Sequence, residues 1–172
     1  MALEEITVTG RKREEYLRDV PVAISAYSQD DLLKEGITNV QDLYDNTPGM
    51  TFDTAGHGDR NSSQPAIRGI QSNRVASSLQ KVTTFVDGIP MSGQVANLTF
   101  GGIDQVEIYR GPQSAAFGRA TFAGAINYVT ADATEEFEAK VRARASSLEN
   151  NELGVIVSGP GRQAGLPLVI YR

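Results

Sequence analysis

Few side chains in this chain of 172 residues are of the types that catalysis or metal binding requires. There is no cysteine, and the single histidine, His57, stands between two glycines in a polar stretch. A zinc or iron–sulfur site would therefore lack its usual ligands, and the carboxylates do not have calcium-loop spacing. The sequence contains neither a nucleophile elbow nor a phosphate-binding loop. We expect no enzyme, cofactor or metal, and interpret His57 as an exposed loop residue, with ligand contact as the alternative.

Arginine is the residue type whose placement indicates a chemical role. Arg68, Arg110 and Arg119 each stand beside a glycine where a predicted strand ends or a loop begins. From the residues alone, such an arginine is a surface residue whose aliphatic stem packs on its neighbours. Its guanidinium is also able to bind a carboxylate through two parallel, charge-assisted hydrogen bonds.

Composition and charge limit the class of protein. The chain is 40% hydrophobic and 22% charged, as in a globular domain, and its net charge of −5 argues against a nucleic-acid partner. No apolar run is long enough for a membrane-spanning helix. The N-terminus lacks the apolar region of a signal peptide, so we expect it to be a recombinant junction on a mature segment. We also expect the chain to be soluble, because its polar loops and net charge need no lipid.

The elements that must position these residues centre on residues 106–130. An alternating segment at 106–109 predicts a strand, which Gly111 and Pro112 end. A stretch of small residues follows, and a second β-rich run occupies residues 125–130. Glycines between two strands, here including Gly118 and Gly124, indicate a close approach of backbones.

Local signals place short helices and strands before this segment. Ser28 and Asp31 form a capping box that predicts a helix over residues 29–35, ended by Gly36. Thr38 and Asn39 are candidate caps for the next helix, for which Thr38 and Gln41 would supply a capping box. That helix buries a face made by Val40, Leu43 and Tyr44. Strands are predicted at residues 20–27, 50–53, 66–70, 82–86 and 89–91, with a hairpin turn at Asp87-Gly88 and a helical turn at 100–104.

After residue 132 the pattern changes to strict alternation. Apolar and charged residues alternate over residues 137–145, and alternation returns at 153–157. The period predicts two strands, either spanning a membrane barrel or half-buried in a soluble sheet. Because their edges would be unpaired, we expect disorder, an edge-paired homodimer or folding back onto the preceding domain. We make no structural prediction for residues 159–172.

Four motifs, in order, resemble the plug domain of TonB-dependent outer-membrane receptors. They are I-R-G at residues 67–69, V-D-G-x-P at 86–90, R-G-P at 110–112, and G-R followed by A-G-A-I-N at 118–127. Phe117 stands where the family often has tyrosine, and Ala123 where it usually has glycine. The resemblance implies an α+β fold: a small mixed β-sheet plug domain of about four main strands with short helices and long apical loops. A β-hairpin from the start of a transmembrane β-barrel would follow it.

The resemblance also implies an organisation and a function. Residues 1–19 would be an energy-coupling segment and linker, residues 20–132 the plug, and residues 133–172 the first strands of a truncated barrel. The parent protein would import a scarce ligand, such as a ferric siderophore, cobalamin or glycan, across the cell outer membrane. The alternative is a stand-alone soluble periplasmic ligand-binding module.

Partners and site residues follow from the same resemblance. The TonB energy transducer would pair with an extended segment, the TonB box: Glu5, Ile6, Thr7, Val8 and Thr9. The protein's own C-terminal β-barrel would bind Arg68, Arg110 and Arg119, with Arg68 facing the ligand as an alternative. Three apical loops would contact the small-molecule ligand through polar residues: His57, Asp59, Arg60, Asn61, Gln71, Asn73, Arg74, Ser92, Gln94 and Asn97.

Overall fold

The computed structural model describes the following residues: 7–8, 15–16, 23–53, 64–71, 81–91, 100, 102–118, 120–132, 136–144, 152–159 and 168–171. The chain divides into two compact units. Unit 1 consists of residues 1–99 and 105–129, and unit 2 of residues 100–104 and 130–172. No described helix is long and apolar enough to cross a membrane.

Thirteen strands and three short helices make up the described secondary structure. The strands are β1 (Thr7–Val8), β2 (Glu15–Tyr16), β3 (Ala23–Ser28), β4 (Met50–Asp53), β5 (Gln64–Ile67), β6 (Ile70–Gln71), β7 (Val82–Val86), β8 (Ile89–Pro90), β9 (Ile103–Arg110), β10 (Gly124–Thr130), β11 (Glu138–Arg144), β12 (Glu152–Ser158) and β13 (Leu168–Tyr171). The helices are α1 (Gln29–Lys34), α2 (Val40–Asn46) and α3 (Ser114–Phe117).

The main sheet has five strands in the order β3-β9-β10-β7-β8. The β3–β9 and β7–β8 pairs are antiparallel, and β10 runs parallel to β7, so the sheet is mixed as predicted. It contains one strand more than expected. Its central strands are buried on both faces: residues 106–109 of β9 and 124–128 of β10 are all inaccessible. The smaller sheets are β1-β2, β4-β5-β6 and β11-β12-β13.

The helix caps follow the local signals with one exception. Ser28 caps α1, and the capping box with Asp31 is complete. Asn39 caps α2 by accepting a hydrogen bond from the Asp42 backbone N–H. The predicted Thr38–Gln41 box is wrong, because Thr38 bonds to the Asp42 carboxylate. The predicted apolar face of α2 is buried.

Two tight turns connect pairs of strands. At Asp87-Gly88 both φ angles are positive (49° and 76°), as the predicted two-residue hairpin requires. Arg68 and Gly69 also have positive φ angles (52° and 74°) and connect β5 to β6. The single strand predicted over residues 66–70 is therefore wrong, because the chain reverses in the middle of it.

Two other predicted elements also differ. The helical turn predicted over residues 100–104 is wrong, because Gly102 has a positive φ of 83° and β9 already begins at Ile103; the bond from the Ile103 N–H to the Phe100 carbonyl closes a tight turn instead. The small-residue stretch, predicted as a loop, contains α3. Short side chains permit this single helical turn between two strands.

The core of the main sheet contains a cluster of Phe85, Tyr109 and Ala125, against which Ile24 and Phe117 pack. The Phe117 ring lies 4.8 Å from the ring of Phe85 and 5.0 Å from that of Tyr109, centroid to centroid. The close approach predicted from the glycines occurs at Gly124. A Cβ added there would lie 2.3 Å from the Tyr109 carbonyl oxygen, so no larger residue fits without a backbone shift.

Unit 2 contains the antiparallel sheet β11-β12-β13. The two strands predicted from alternation are present, with Val141 paired to Val155. The third, β13, pairs with β12 through residues 154–157 and has no predicted counterpart. Phe137 and Val141 are 73% and 69% exposed.

Candidate functional site

The N-terminal strand β1 contains the described part of the predicted partner-binding segment. Thr7 and Val8 pair with Tyr16 and Glu15 of β2, and Val8 is only 3% exposed. The side-chain amide of Gln105 donates to the Thr7 carbonyl at 2.8 Å. Backbone groups of this segment are thus already engaged within the chain. Glu5, Ile6 and Thr9 lie outside the described residues.

Two of the predicted arginines occur at one corner of unit 1. The Arg68 backbone N–H donates to the Gly49 carbonyl at 2.8 Å, and the Arg110 guanidinium donates to the Pro48 carbonyl at 3.1 Å. The Arg68 guanidinium lies beside Gly111, 3.8 Å from where a Cβ would be. The I-R-G turn and the R-G-P segment therefore meet at the end of α2. Arg119 lies outside the described residues.

Arg110 retains unused donor capacity at this corner. Its Nε atom is buried and has no hydrogen-bond partner among the residues that the structure describes. A buried guanidinium N–H without an acceptor is costly, and a carboxylate is the acceptor that best fits its geometry. The corner can therefore accept an anionic group from outside the described chain.

A buried glutamate forms the centre of a polar network between β9 and β10. Glu107 is fully buried, and its carboxylate accepts hydrogen bonds from Tyr109 Oη at 3.0 Å, Asn127 Nδ2 at 3.0 Å and Gln105 Nε2 at 3.2 Å. We call these four residues the Glu107 network. Such a network is stabilising only when its members are satisfied. It fixes side chains of two central strands relative to each other.

The Glu107 network continues to the β7–β8 turn. Asn127 Oδ1 accepts a hydrogen bond from the Gly88 backbone N–H at 3.1 Å. Beside this turn is an open cavity of about 600 Å³ between the hairpin, α3 and β10. Phe85, Phe117 and Val129 supply apolar lining, and Asp87, Ser114 and Asn127 supply polar groups. Its size is within the range of small-molecule pockets.

Two buried tyrosines lie near each other in the core of unit 1. Burial raises the pKa of the Tyr44 hydroxyl well above its ordinary value, and the neighbouring Tyr128 raises it further. Burial also raises the pKa of Tyr128. Both hydroxyls are therefore neutral at physiological pH.

Of the ten predicted ligand-facing residues, Gln71 is the one that lies among the described residues. Gln71 belongs to β6, where it pairs with Ala66. The others lie outside the described residues: His57, Asp59, Arg60, Asn61, Asn73, Arg74, Ser92, Gln94 and Asn97. In the described residues, no group of three or more His, Cys, Asp or Glu side chains is arranged to hold a metal ion.

The Glu107 network was missed by sequence reasoning. Glu107 and Gln105 alternate with apolar residues, which is the pattern of a strand with one solvated face. The structure buries Glu107 because β9 is a central strand covered on both faces. The one sequence signal for the network was Asn127, which lies in the second β-rich run at residues 125–130. A side-chain amide in a buried strand needs hydrogen-bond partners.

The sequence profile of the family described as TonB-dependent Receptor Plug Domain matches residues 16–125. The chain is 27% identical to the vitamin B12 transporter BtuB of Vibrio vulnificus over 166 residues, covering 94% of this chain and 24% of BtuB. It is 35% identical to the probable TonB-dependent receptor BfrD of Bordetella pertussis over 115 residues, covering 66% of this chain and 14% of BfrD. The chain thus spans a quarter or less of these proteins' lengths.

Solved structures share the fold. The ferric yersiniabactin uptake receptor FyuA of Yersinia pestis superposes with a TM-score of 0.69 at 26% identity, over 83% of this chain and 22% of FyuA. The ferripyoverdine receptor of Pseudomonas aeruginosa, bound to ferripyoverdine, gives a TM-score of 0.73 at 22% identity, over 91% of this chain and 20% of the receptor. The second likeness shows the fold alone.

Proposed function

Because the chain belongs to the TonB-dependent receptor plug-domain family, we propose that it is the plug of an active-transport receptor in the cell outer membrane. The plug gates a surrounding barrel and helps to bind a scarce ligand, and the TonB transducer supplies the energy. The observation that carries the proposal is the family match over residues 16–125, which includes most of unit 1. The names of BtuB, FyuA and the ferripyoverdine receptor support cobalamin or a ferric siderophore as the ligand class.

The coupling segment is residues 5–9 in this proposal. A partner strand binds such a segment through backbone hydrogen bonds, which require β-compatible side chains rather than a particular sequence. Thr7 and Val8 are extended in β1, which supports the assignment. Tension on this segment acts directly on unit 1, because Gln105 of β9 bonds to Thr7.

Arg68 and Arg110 face carboxylates of the barrel wall in this proposal. The partly buried Arg110, with its unused Nε donor, is the stronger candidate, since a barrel carboxylate would complete its hydrogen bonds. Arg68 is exposed at the turn and adds a second charge at the same corner. Arg119 is assigned the same role from its motif position alone.

The test is a titration of the 172-residue chain with the periplasmic domain of TonB from the same organism. We expect the wild-type chain to bind and Ile6→Pro to lose binding, because proline removes a backbone donor and disfavours strand pairing. Ala2→Pro, outside the proposed segment, is the matched control and should bind like the wild type.

Equal binding by wild type and Ile6→Pro would place the contact outside residues 5–9. No binding by any variant, together with micromolar binding of a siderophore or cobalamin by the isolated chain, would favour a stand-alone ligand-binding module instead.

A further inference from the structure

The cavity beside the β7–β8 turn is built from residues that the proposed function does not use. Its volume is about 600 Å³, and the turn, α3 and β10 bound it. None of its described lining residues is among the ten that the sequence predicted to contact the ligand. Its lining can therefore be considered by itself, as a separate candidate site.

Backbone donors on the hairpin side of the cavity are already used within the chain. The Asp87 N–H donates to the Tyr128 carbonyl at 2.9 Å. The Gly88 N–H donates to Asn127 Oδ1 at 3.1 Å. Pro90, the next lining residue of this hairpin, has no N–H to offer. This wall therefore presents acceptors to a ligand in preference to donors.

The wall formed by α3 has the same property. The N–H groups of Ala116 and Phe117 both donate to the Gln113 carbonyl, at 3.1 and 2.9 Å. The Gly118 N–H donates to the Ser114 carbonyl at 3.0 Å. An anion in the cavity would find these three donors occupied.

The side chains of the lining add a negative charge and an apolar surface. Asp87 is the only charged residue among the described residues that line the cavity. The Ser114 hydroxyl can also accept a hydrogen bond. Phe117 and Val129 are half-buried, so part of each side chain remains accessible to a ligand. A carboxylate beside an aromatic ring favours a cation over an anion.

From this lining we propose that the cavity is a second small-molecule site, which binds an organic cation: a protonated amine joined to an apolar or aromatic body. The ammonium group donates to Asp87 and Ser114, and the body packs on Phe117 and Val129. This inference goes beyond the proposed function, because it requires neither the TonB transducer nor the apical loops.

Phenethylamine and hydrocinnamate are the probes, because each joins a phenyl ring to a short chain and they carry opposite charges at pH 7. NMR titration of the isotope-labelled 172-residue chain follows their binding. We expect phenethylamine to shift the amide resonances of residues 85–88, 114–118 and 127–129, with a Kd of about 1 mM for so small a ligand. Hydrocinnamate should bind about tenfold more weakly, since Asp87 repels it.

Asp87→Asn tests the charge and keeps the turn, because asparagine also adopts a positive φ. We expect it to weaken phenethylamine binding about threefold to fivefold, the effect of an exposed ion pair. Asp30→Asn is the matched control: it makes the same change of net charge at an exposed residue of α1 and should leave the Kd unchanged.

Ala115→Leu tests the cavity itself. Ala115 is an exposed lining residue of α3, and leucine is a good helix former, so the added bulk enters the cavity without replacing a core residue. We expect phenethylamine binding to be lost. If the resonances of this variant show that it is unfolded, Asp87→Asn carries the test.

Equal affinities of the wild type for the two probes overturn the proposal. Equal affinities of wild type and Asp87→Asn for phenethylamine do the same, as does the absence of shifts at the cavity residues. The TonB titration is independent of this result. Its failure would leave the cavity test intact, and failure of the cavity test would leave the proposed function standing.

Discussion

In the main sheet of unit 1, Ile108 and Ile126 are fully buried, whereas in unit 2 Phe137 and Val141 are 73% and 69% exposed. Each region contains a strand with an alternating segment, β9 in the main sheet and β11 in unit 2. The difference lies in what covers them: the central strands β9 and β10 are covered on both faces, and the described apolar side chains of β11 are not.

We infer from this comparison that burial, and not strand pattern, decides which residues are structurally critical. In unit 1 even a glutamate is enclosed and must be satisfied by its neighbours. In unit 2 the side chains of Phe137 and Val141 remain accessible. Matched substitutions in the two units test this contrast.

The largest expected effect is at Gly124, where an added Cβ would meet the Tyr109 carbonyl at 2.3 Å and Ile67 Cδ1 at 2.6 Å. Because the first contact is backbone, Gly124→Ala must separate β9 from β10. We expect a loss of about 3 kcal/mol in the free energy of unfolding, measured by urea denaturation with far-UV circular dichroism.

Gly159→Ala is the matched change in unit 2. Its Cβ would lie 3.3 Å from the side chain of Phe137, which is exposed and can move. We expect a change within about 0.5 kcal/mol. Equal losses in the free energy of unfolding of Gly124→Ala and Gly159→Ala would contradict the inference that burial distinguishes the two units.

Glu107→Gln should have the next largest effect. The substituted amide can place its oxygen where Oε2 accepts from Asn127 Nδ2 and Tyr109 Oη, but its amino group then takes the place of Oε1 and faces Gln105 Nε2, which is also a donor. At least one buried donor then lacks an acceptor, and we expect a loss of about 2 kcal/mol in the free energy of unfolding.

Glu138→Gln in β11 is the corresponding control, because Glu138 is an exposed strand residue of unit 2. It should change the free energy of unfolding by less than about 0.5 kcal/mol. A loss at Glu138 that matched the loss at Glu107 would mean that burial is not the deciding factor.

The smallest effect is expected at the α1 capping box, a polar contact of unit 1 that is less buried. Ser28→Ala should lower the free energy of unfolding by about 1 kcal/mol, the usual value for a lost N-cap.

The Ser28 hydrogen bond lowers the pKa of Asp31, so the folded chain holds this carboxylate more strongly in its charged form. That stabilisation is present above the unfolded-state pKa of about 4 and is lost as the pH falls through the lower folded-state pKa.

Urea denaturation of wild type and Ser28→Ala at pH 7 and pH 3 checks this sign. The difference between them should shrink at pH 3. A difference that grew at low pH would contradict the capping-box interpretation.

Elements specified by adjacent residues could be predicted from the sequence. The Ser28–Asp31 box, the Asp87-Gly88 turn and the strand Met50–Asp53 occur where the local signals place them. The turn at Arg68-Gly69 was missed because arginine rarely adopts a positive φ, so nothing in its type marks it as a turn residue.

Features that depend on distant contacts could not be predicted. β13 forms by pairing with the free edge of β12. Its short apolar sequence alone does not identify a strand. The hydrogen bonding of buried Glu107 depends on Asn127, 20 residues later, and the Thr7 carbonyl accepts a hydrogen bond from Gln105, 98 residues later. Of the proposed site, the sequence indicated Thr7, Val8, Arg68 and Arg110, while the residues that hold β1 became visible only in three dimensions.

The pairing of β3 with β9 has a consequence for how the domain folds. Ser28 lies opposite Gln105 and Ala23 opposite Arg110, so the first strand of the main sheet has no partner until most of unit 1 has been synthesised. Long-range pairings slow folding, because the entropy of a large loop is lost before the contacts form. We expect β3 to dock late and the main sheet to fold on a timescale of about milliseconds to seconds.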